Sequence, residues 1–254
     1  MGGRNEEAGR SAYERLAASY DDFTLGYQAE RWTASLEGIA VGQGPQGRRL
    51  LDVGCGTGKS FIPMIERGWE VVGCDISPAM LAVARSKVGE SVPLHVCDVR
   101  ELPVLGEFDL VWALNDTLNN LVTDAELGDA LAGLRANLKP AGVLLFDLNT
   151  LSGMREMFAS EFIREVGGRK MRWIGQSGDG VEPDSVSWAR FEVDGEPDAD
   201  HDHRQRHFSQ DVVLRELESA GLECQAVWGD YEGEQTQPLD EAQHQKAIYL
   251  ARSR

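Results

Sequence analysis

Basic residues are scarce in this 254-residue chain: 25 lysines and arginines stand against 42 acids, a formal charge of −17. Proteins that grip a phosphate backbone do so by displacing counterions with Lys and Arg, so no nucleic-acid partner is expected. Cysteine is sparse too. Cys55, Cys74, Cys97 and Cys224 form no CxxC pair and no ligand-like spacing, which speaks for small hydrophobes in apolar strands rather than disulfides. No stretch approaches the roughly 18 apolar residues that a membrane span requires, so no membrane partner is expected. The start, Met1-Gly-Gly-Arg-Asn-Glu-Glu, has no apolar run behind its charges, so no secretion signal is read and a cytoplasmic localisation is expected. Aromatics reach only 7%, yet 42% of residues are hydrophobic, enough for a core and too much for disorder. The length suits one domain, or one domain with a large insertion.

What is present is alternation. Behind a polar first ten residues, one helical face carries Tyr13, Leu16, Ala17 and Tyr20, and a second carries Tyr27, Trp32, Leu36 and Ile39. Val41-Gly-Gln-Gly-Pro-Gln-Gly ends that pattern. Strands then read at residues 49–54, 70–75, 94–98, 108–114 and 142–149. Between them lie helices over 60–67, from Ser77-Pro78 to Val88, and from the capping box Thr123-Asp-Ala-Glu126 to a stop before Lys139-Pro140. Such spacing predicts a doubly wound α/β fold, a mostly parallel sheet with helices on both faces. Residues 151–208 break the rhythm with one short helix and polar strands at 171–174, 186–193 and 203–208, read as an inserted antiparallel segment laid over the sheet. A helix over 209–220, closed by Gly221, and strands near 223–228 and 247–251 complete the chain.

The chemical signal lies between the first strand and its helix, in Asp52-Val-Gly54-Cys-Gly56-Thr-Gly58-Lys59-Ser60. A phosphate-binding P-loop would need glycine where Val53 stands. A dinucleotide fingerprint would need its third glycine where Lys59 stands. The remaining reading is a pocket for S-adenosylmethionine, where glycines let the backbone approach and Asp52 can hold the methionyl ammonium. Asp75 ends the second strand, where a carboxylate can accept both ribose hydroxyls, and Asp98 ends the third, where it can accept from an adenine amino group.

These runs, Leu50-Leu-Asp-Val-Gly-Cys-Gly-Thr-Gly, Val71-Val-Gly-Cys-Asp-Ile-Ser-Pro-Ala-Met-Leu and Val96-Cys-Asp-Val, resemble the class I S-adenosylmethionine-dependent methyltransferases. The likeness spans about residues 11–252. It is nearest to the YqeM-like small-molecule enzymes and more distant to the aminosugar N-methyltransferases. Tyr13-Glu-Arg-Leu-Ala-Ala-Ser-Tyr-Asp, Leu114-Asn-Asp-Thr-Leu-Asn-Asn, Phe146-Asp-Leu-Asn-Thr and His203-Arg-Gln-Arg-His-Phe-Ser carry that part of it. The resemblance implies a Rossmann-like sheet of seven strands and S-adenosyl-L-methionine as cofactor, leaving S-adenosyl-L-homocysteine. It implies an N-terminal helical lid (1–40), a cofactor-binding core (41–150), an inserted β cap (151–208) and a C-terminal helix with the last two strands (209–254). It places Asp52, Gly54, Cys55, Gly56 and Gly58 about the methionyl end, Asp75 and Ile76 at the ribose, and Asp98 and Val99 at the adenine. Met80 packs near the adenosyl group, Leu114 and Asn115 border the cofactor, and Tyr20 and Trp32 descend from the lid. Ordinary helix packing is an equal reading for those two aromatics.

Methyl transfer from a sulfonium needs alignment more than a dedicated catalytic residue. The acceptor is expected beyond strands four and five, on a small molecule and at N or O. Asp116 is the candidate base there and His207 a candidate facing the pocket. His201, His203 and His207 raise the thought of a metal, but acids crowd the segment and no fourth ligand has fixed spacing, so no metal is expected. A nucleotide-sugar acceptor would need cations near its diphosphate, and Arg169, Lys170, Arg172, Arg204 and Arg206 are the clustered ones. A non-catalytic cofactor-binding protein is the alternative from another class.

Overall fold

The computed structural model describes residues 11–26, 28–177 and 180–254. The polar first ten residues and Tyr27 lie outside the described residues. Three helices open the chain: α1 over residues 11–16, α2 (Tyr20–Phe23) and α3 (Ala29–Val41). The alternating core follows as β1 (Arg49–Val53), α4 (Ile62–Glu66), β2 (Glu70–Asp75), α5 (Pro78–Val88), β3 (Leu94–Val96), β4 (Phe108–Ala113), α6 (Asp124–Ala136) and β5 (Leu138–Asn149). Local chemistry explains the starts. Ser77 caps α5 by accepting from the Met80 amide at 3.2 Å, with Pro78 at its first position. Thr123 and Glu126 exchange the two bonds of the capping box that opens α6. Helix α4 is shorter than its apolar pattern suggested, because residues 54–61 turn tightly before Pro63 admits a helix.

Strands β1 to β5 pair in parallel, and β12 (Lys246–Ser253) returns antiparallel against β5. The full order is β11-β10-β12-β5-β4-β1-β2-β3, with β10 (Leu222–Tyr231) reached through α8 (Gln210–Ser219). That is eight strands where seven were expected. The extra one, β11 (Glu234–Thr236), is the return arm of a hairpin whose turn residues Glu232 and Gly233 have φ of 51° and 85°. Its polar sequence gave no strand signal. Both sheet faces are covered, with Phe108, Phe146, Phe208 and Tyr249 on one and Trp32, Phe61, Trp69 and Trp112 on the other.

Helix α7 (Leu151–Ala159) leads into a second sheet of four antiparallel strands, β6 (Glu161–Val166), β7 (Arg169–Gly175), β8 (Val186–Val193) and β9 (His201–Arg206). β6 was not expected. It exists because Gly167 and Gly168, at φ 59° and 82°, turn it back on β7. β9 begins two residues before the expected start, which brings His201 into the ladder and leaves His207 and Phe208 beyond it. One row runs across all four strands: Phe162 pairs Trp173, Trp173 pairs Phe191, and Phe191 pairs His201. Directly paired residues share a face, so these rings form a continuous aromatic strip. A neighbouring row is small: Gly175 pairs Ala189, which pairs His203.

Candidate active site

The glycine loop is tied to the end of β2. The Gly54 and Cys55 amides both donate to the Cys74 carbonyl, at 2.8 and 3.0 Å. Gly54 has φ of 71°, and a side chain there would strike the Thr117 side chain. Only glycine fits. Asp75, at the end of β2, accepts from the Gly56 amide at 2.8 Å and the Ser77 amide at 2.9 Å. Burial nevertheless raises its carboxyl above the ordinary value, against those bonds.

This loop and the C-terminal ends of the strands enclose a cavity, the position at which open α/β sheets bind ligands. Of the expected cofactor residues, Gly54, Cys55, Gly56, Asp75 and Ile76 line it. So do Met80, Asp98, Val99, Asn115 and Tyr20. Asp98 is held rigid by Arg100, whose backbone amide and Nε both reach its Oδ1 at 2.9 Å. Four expected residues are not on the wall. Gly58, at φ 88°, shapes the turn from behind against Phe61. Leu114 is buried in the core below. Trp32 is packed in the same core and donates its indole N–H to Asp230 at 3.1 Å, so it does not reach the cavity. Asp52 sits 1% exposed in β1, with Oδ2 lacking any partner among the described residues. Burial, with Asp75 adding its charge, pushes that carboxyl up to about 7.

A second cavity of about 450 Å³ adjoins the first and shares Tyr13, Tyr20, Lys59 and Asn115 with it. Its far side is the aromatic strip of the second sheet together with Phe23 from α2, whose ring stands edge-on to Phe191 at 4.9 Å. Asp116 lines this cavity, but its carboxylate is bonded to the Lys246 ammonium, which also bonds Asp147 at 2.7 Å. Burial would raise the Asp116 pKa, and Lys246 outweighs it, leaving the group below the ordinary carboxylate range. Such a carboxylate is a weak base. His207 is turned away from both cavities. Its Nδ1 accepts from the Asp184 amide at 3.2 Å and its Nε2 lies 3.3 Å from Glu241. The reason is the register of β9: inward positions fall at His201, His203 and Gln205, and the ladder has ended before His207.

Sequence reasoning missed the cavity's Tyr13, Lys59, His201 and His203, and the rings of Phe23, Phe162, Trp173 and Phe191. The period-two alternation in β8 and β9 was the available signal. Lys59 acquires a role the motif comparison did not foresee. Its Nζ reaches the Asp21 carbonyl at 3.2 Å and the Thr24 carbonyl and hydroxyl at 3.0 and 2.6 Å, while Thr57 Oγ1 bonds Asp21 at 2.7 Å. The residue that spoils the dinucleotide fingerprint thus fastens α2 to the loop.

A 3-2-1-4-5 parallel order closed by an antiparallel strand, with acids at successive strand ends around a glycine turn, defines an S-adenosylmethionine-dependent methyltransferase. A family model for a methyltransferase domain matches residues 50–142. YqeM of Bacillus subtilis (strain 168), a methyltransferase-family protein, is 31% identical over 226 residues, covering 86% of this chain and 90% of that one. The chain belongs to this methyltransferase family. Among solved structures, an S-adenosylmethionine-dependent methyltransferase from Clostridium acetobutylicum superposes with a TM-score of 0.78 at 20% identity, covering 95% of this chain and 98% of that one. An amino pentose methyltransferase from Micromonospora echinaspora, bound to its S-adenosylmethionine, gives 0.66 at 26% identity, covering 92% and 94%. S-adenosylmethionine is the cofactor, and the cavity suits it: Asp75, on the wall, keeps acceptor lone pairs for a diol. Among the described residues no helix is long and apolar enough to cross a membrane.

Proposed function

We infer that the protein methylates a nitrogen or oxygen of a small molecule whose body is apolar or aromatic. The observation that carries this is the pair of adjoining cavities, one walled by the glycine loop and strand-end acids, the other by aromatic rings. S-adenosylmethionine, when bound, supplies a methyl group already activated for displacement. The chain supplies position. Asp75 accepts the ribose hydroxyls, Asp98 faces the adenine, and Ile76, Met80 and Val99 cover the adenosyl faces, while Asp52, buried directly before the loop, acts on the ammonium by its charge alone. Tyr13, Tyr20 and the α2 segment exclude water where the cavities meet. Holding both reactants in line is worth roughly 7–11 kcal/mol of barrier.

The likeness to an amino pentose methyltransferase favours a sugar acceptor as the second reading. Charge speaks against a nucleotide-linked one. Arg169, Lys170, Arg172, Arg204 and Arg206 line neither cavity, and Arg169 and Arg206 are bonded to Glu196 and Asp124. The cations that do line the acceptor cavity, Lys59 and Lys246, are bonded to their own chain. A diphosphate would find no ready partner there. The cytoplasmic localisation expected from the sequence belongs to this proposal.

Calorimetric titration with S-adenosylhomocysteine, NAD and ATP, followed by a labelled-methyl screen over small-molecule extracts, tests the reading. Binding of S-adenosylhomocysteine alone and label entering apolar amines or hydroxyl compounds is the expected outcome. Label entering only nucleotide sugars would overturn the acceptor class, and cofactor binding without transfer to any extract would make the protein a non-catalytic binder.

A further inference from the structure

Most polar groups of the acceptor cavity are already engaged. Asp116 and Lys246 hold each other. Asn149 Nδ2 donates to Gln205 at 2.9 Å, and Gln245 Nε2 to Glu156 at 2.8 Å. His201 Nδ1 is bound to the Ala199 carbonyl at 2.9 Å. His203 is different. It is 8% exposed and lines the cavity, and among the described residues neither ring nitrogen has a hydrogen-bond partner. Its ring is held instead by packing, with Tyr13 edge-on at 5.7 Å and Trp173 tilted at 5.3 Å.

The sheet makes the room around it. His203 sits in the row whose other members are Ala189 and Gly175, so no bulky side chain flanks it across the ladder. Gly175 must stay small because a Cβ there would strike the Phe158 carbonyl. Tyr13, which braces the imidazole, also lines the donor cavity. His203 therefore stands in the acceptor cavity beside Tyr13, a residue shared with the donor cavity, fixed by rings and with its polar edge unclaimed.

We propose that His203 is the group that orients the acceptor, taking a hydrogen bond from its N–H or O–H so that the nucleophile's lone pair is left facing the donor cavity. Burial pushes the imidazole down to about 4, with His201 lowering it further and Asp116 opposing. The ring is thus neutral at physiological pH and keeps an acceptor lone pair. No proton moves to it: an amine's nitrogen takes up the positive charge that the sulfonium loses, and a hydroxyl's proton leaves to solvent. The proposal rests on the acceptor reading above and adds the residue that sets the acceptor's pose.

The test uses two variants of the whole chain. His203→Phe preserves the ring contacts with Tyr13 and Trp173 and removes the nitrogens; His203→Gln restores an acceptor atom. Label transfer to small-molecule extracts is expected to fall about 10- to 100-fold in kcat for His203→Phe, the effect of one lost hydrogen bond to a buried partner, and to recover in part for His203→Gln. S-adenosylhomocysteine affinity stays within twofold in both. With phenol as a probe of the wild-type S-adenosylhomocysteine complex, the His203 ring ¹⁵N signals shift on titration. His203→Phe with unchanged kcat would overturn the proposal, as would phenol that moves the Trp173 indole signal and leaves His203 unmoved. Equal loss of cofactor affinity and turnover would make the residue structural. Wild-type protein inactive on every extract would instead overturn the acceptor reading itself.

Discussion

Asp52 offers the sharpest test of how the cofactor site works. Its carboxyl is raised from an ordinary value of 3.8 to about 7 by burial in β1. The folded state therefore holds the proton more tightly than the unfolded state does. Stability from this group is complete below the unfolded pKa and is lost as pH rises towards 7, a total of roughly 4 kcal/mol at about 1.4 kcal/mol per unit. Asn at this position carries no charge at any pH and escapes the loss. Between pH 5.5 and 8.5, Asp52→Asn is expected to gain on the wild type by roughly 2 kcal/mol, or about 5 °C in melting temperature. Taking the difference between the two proteins cancels every other group that titrates in the range. With saturating S-adenosylhomocysteine at pH 8.5 the order should change, because the ligand's positive charge favours the ionised wild-type carboxylate, which Asn cannot provide. Thermal melts at both pH values, with and without ligand, measure all of this. A stability difference that does not change with pH would refute the burial argument. Equal stabilisation of both proteins by the ligand would remove Asp52 from the ammonium site.

Other expectations are simpler. Asp75→Ala should weaken S-adenosylhomocysteine binding by about 10- to 100-fold in calorimetry, since buried ribose hydroxyls lose their acceptors. Gly54→Ala should lower the melting temperature more than Gly56→Ala, because both sit at positive φ but only the former meets Thr117. His207→Ala should destabilise the fold by roughly 1–3 kcal/mol in denaturant titration while leaving methyl transfer unchanged, as its bonds run to Asp184 and Glu241 rather than to a cavity.

The donor half was legible in the sequence because its signals are local. A glycine run, a strand-end acid or a capping box is read within a few residues, and Asp75 and the start of α6 lie where those signals put them, while Asp98 lies two residues past the end of β3 and caps a short turn. The acceptor half depends on register between strands distant in sequence. One residue of slip exchanges the two faces of a strand, and a misplaced end shifts which side chains lie over the cavity. The start of β9 was placed two residues late, which left out His201, and its end two residues late, which drew in His207. Trp32 failed for a related reason: its partner Asp230 lies 198 residues away, and no local pattern could reveal that bond. β6 and β11 went unseen because their polar residues resemble loops, and two-residue hairpins alone define them.

The rows of the second sheet bear on how such an enzyme changes over time. The methyl-donor site is assembled on one sheet and the acceptor's wall on another, so the two can drift almost independently. Within that wall Gly175 is barred from growing by the Phe158 backbone, and Ala189, beside His203, is fully buried. Change therefore falls to the cavity-facing aromatic row, where a substitution at the half-buried Phe162 would reshape the acceptor's room and leave the cofactor's loop and its acids untouched. New acceptor preference is accessible there without any renegotiation of the chemistry.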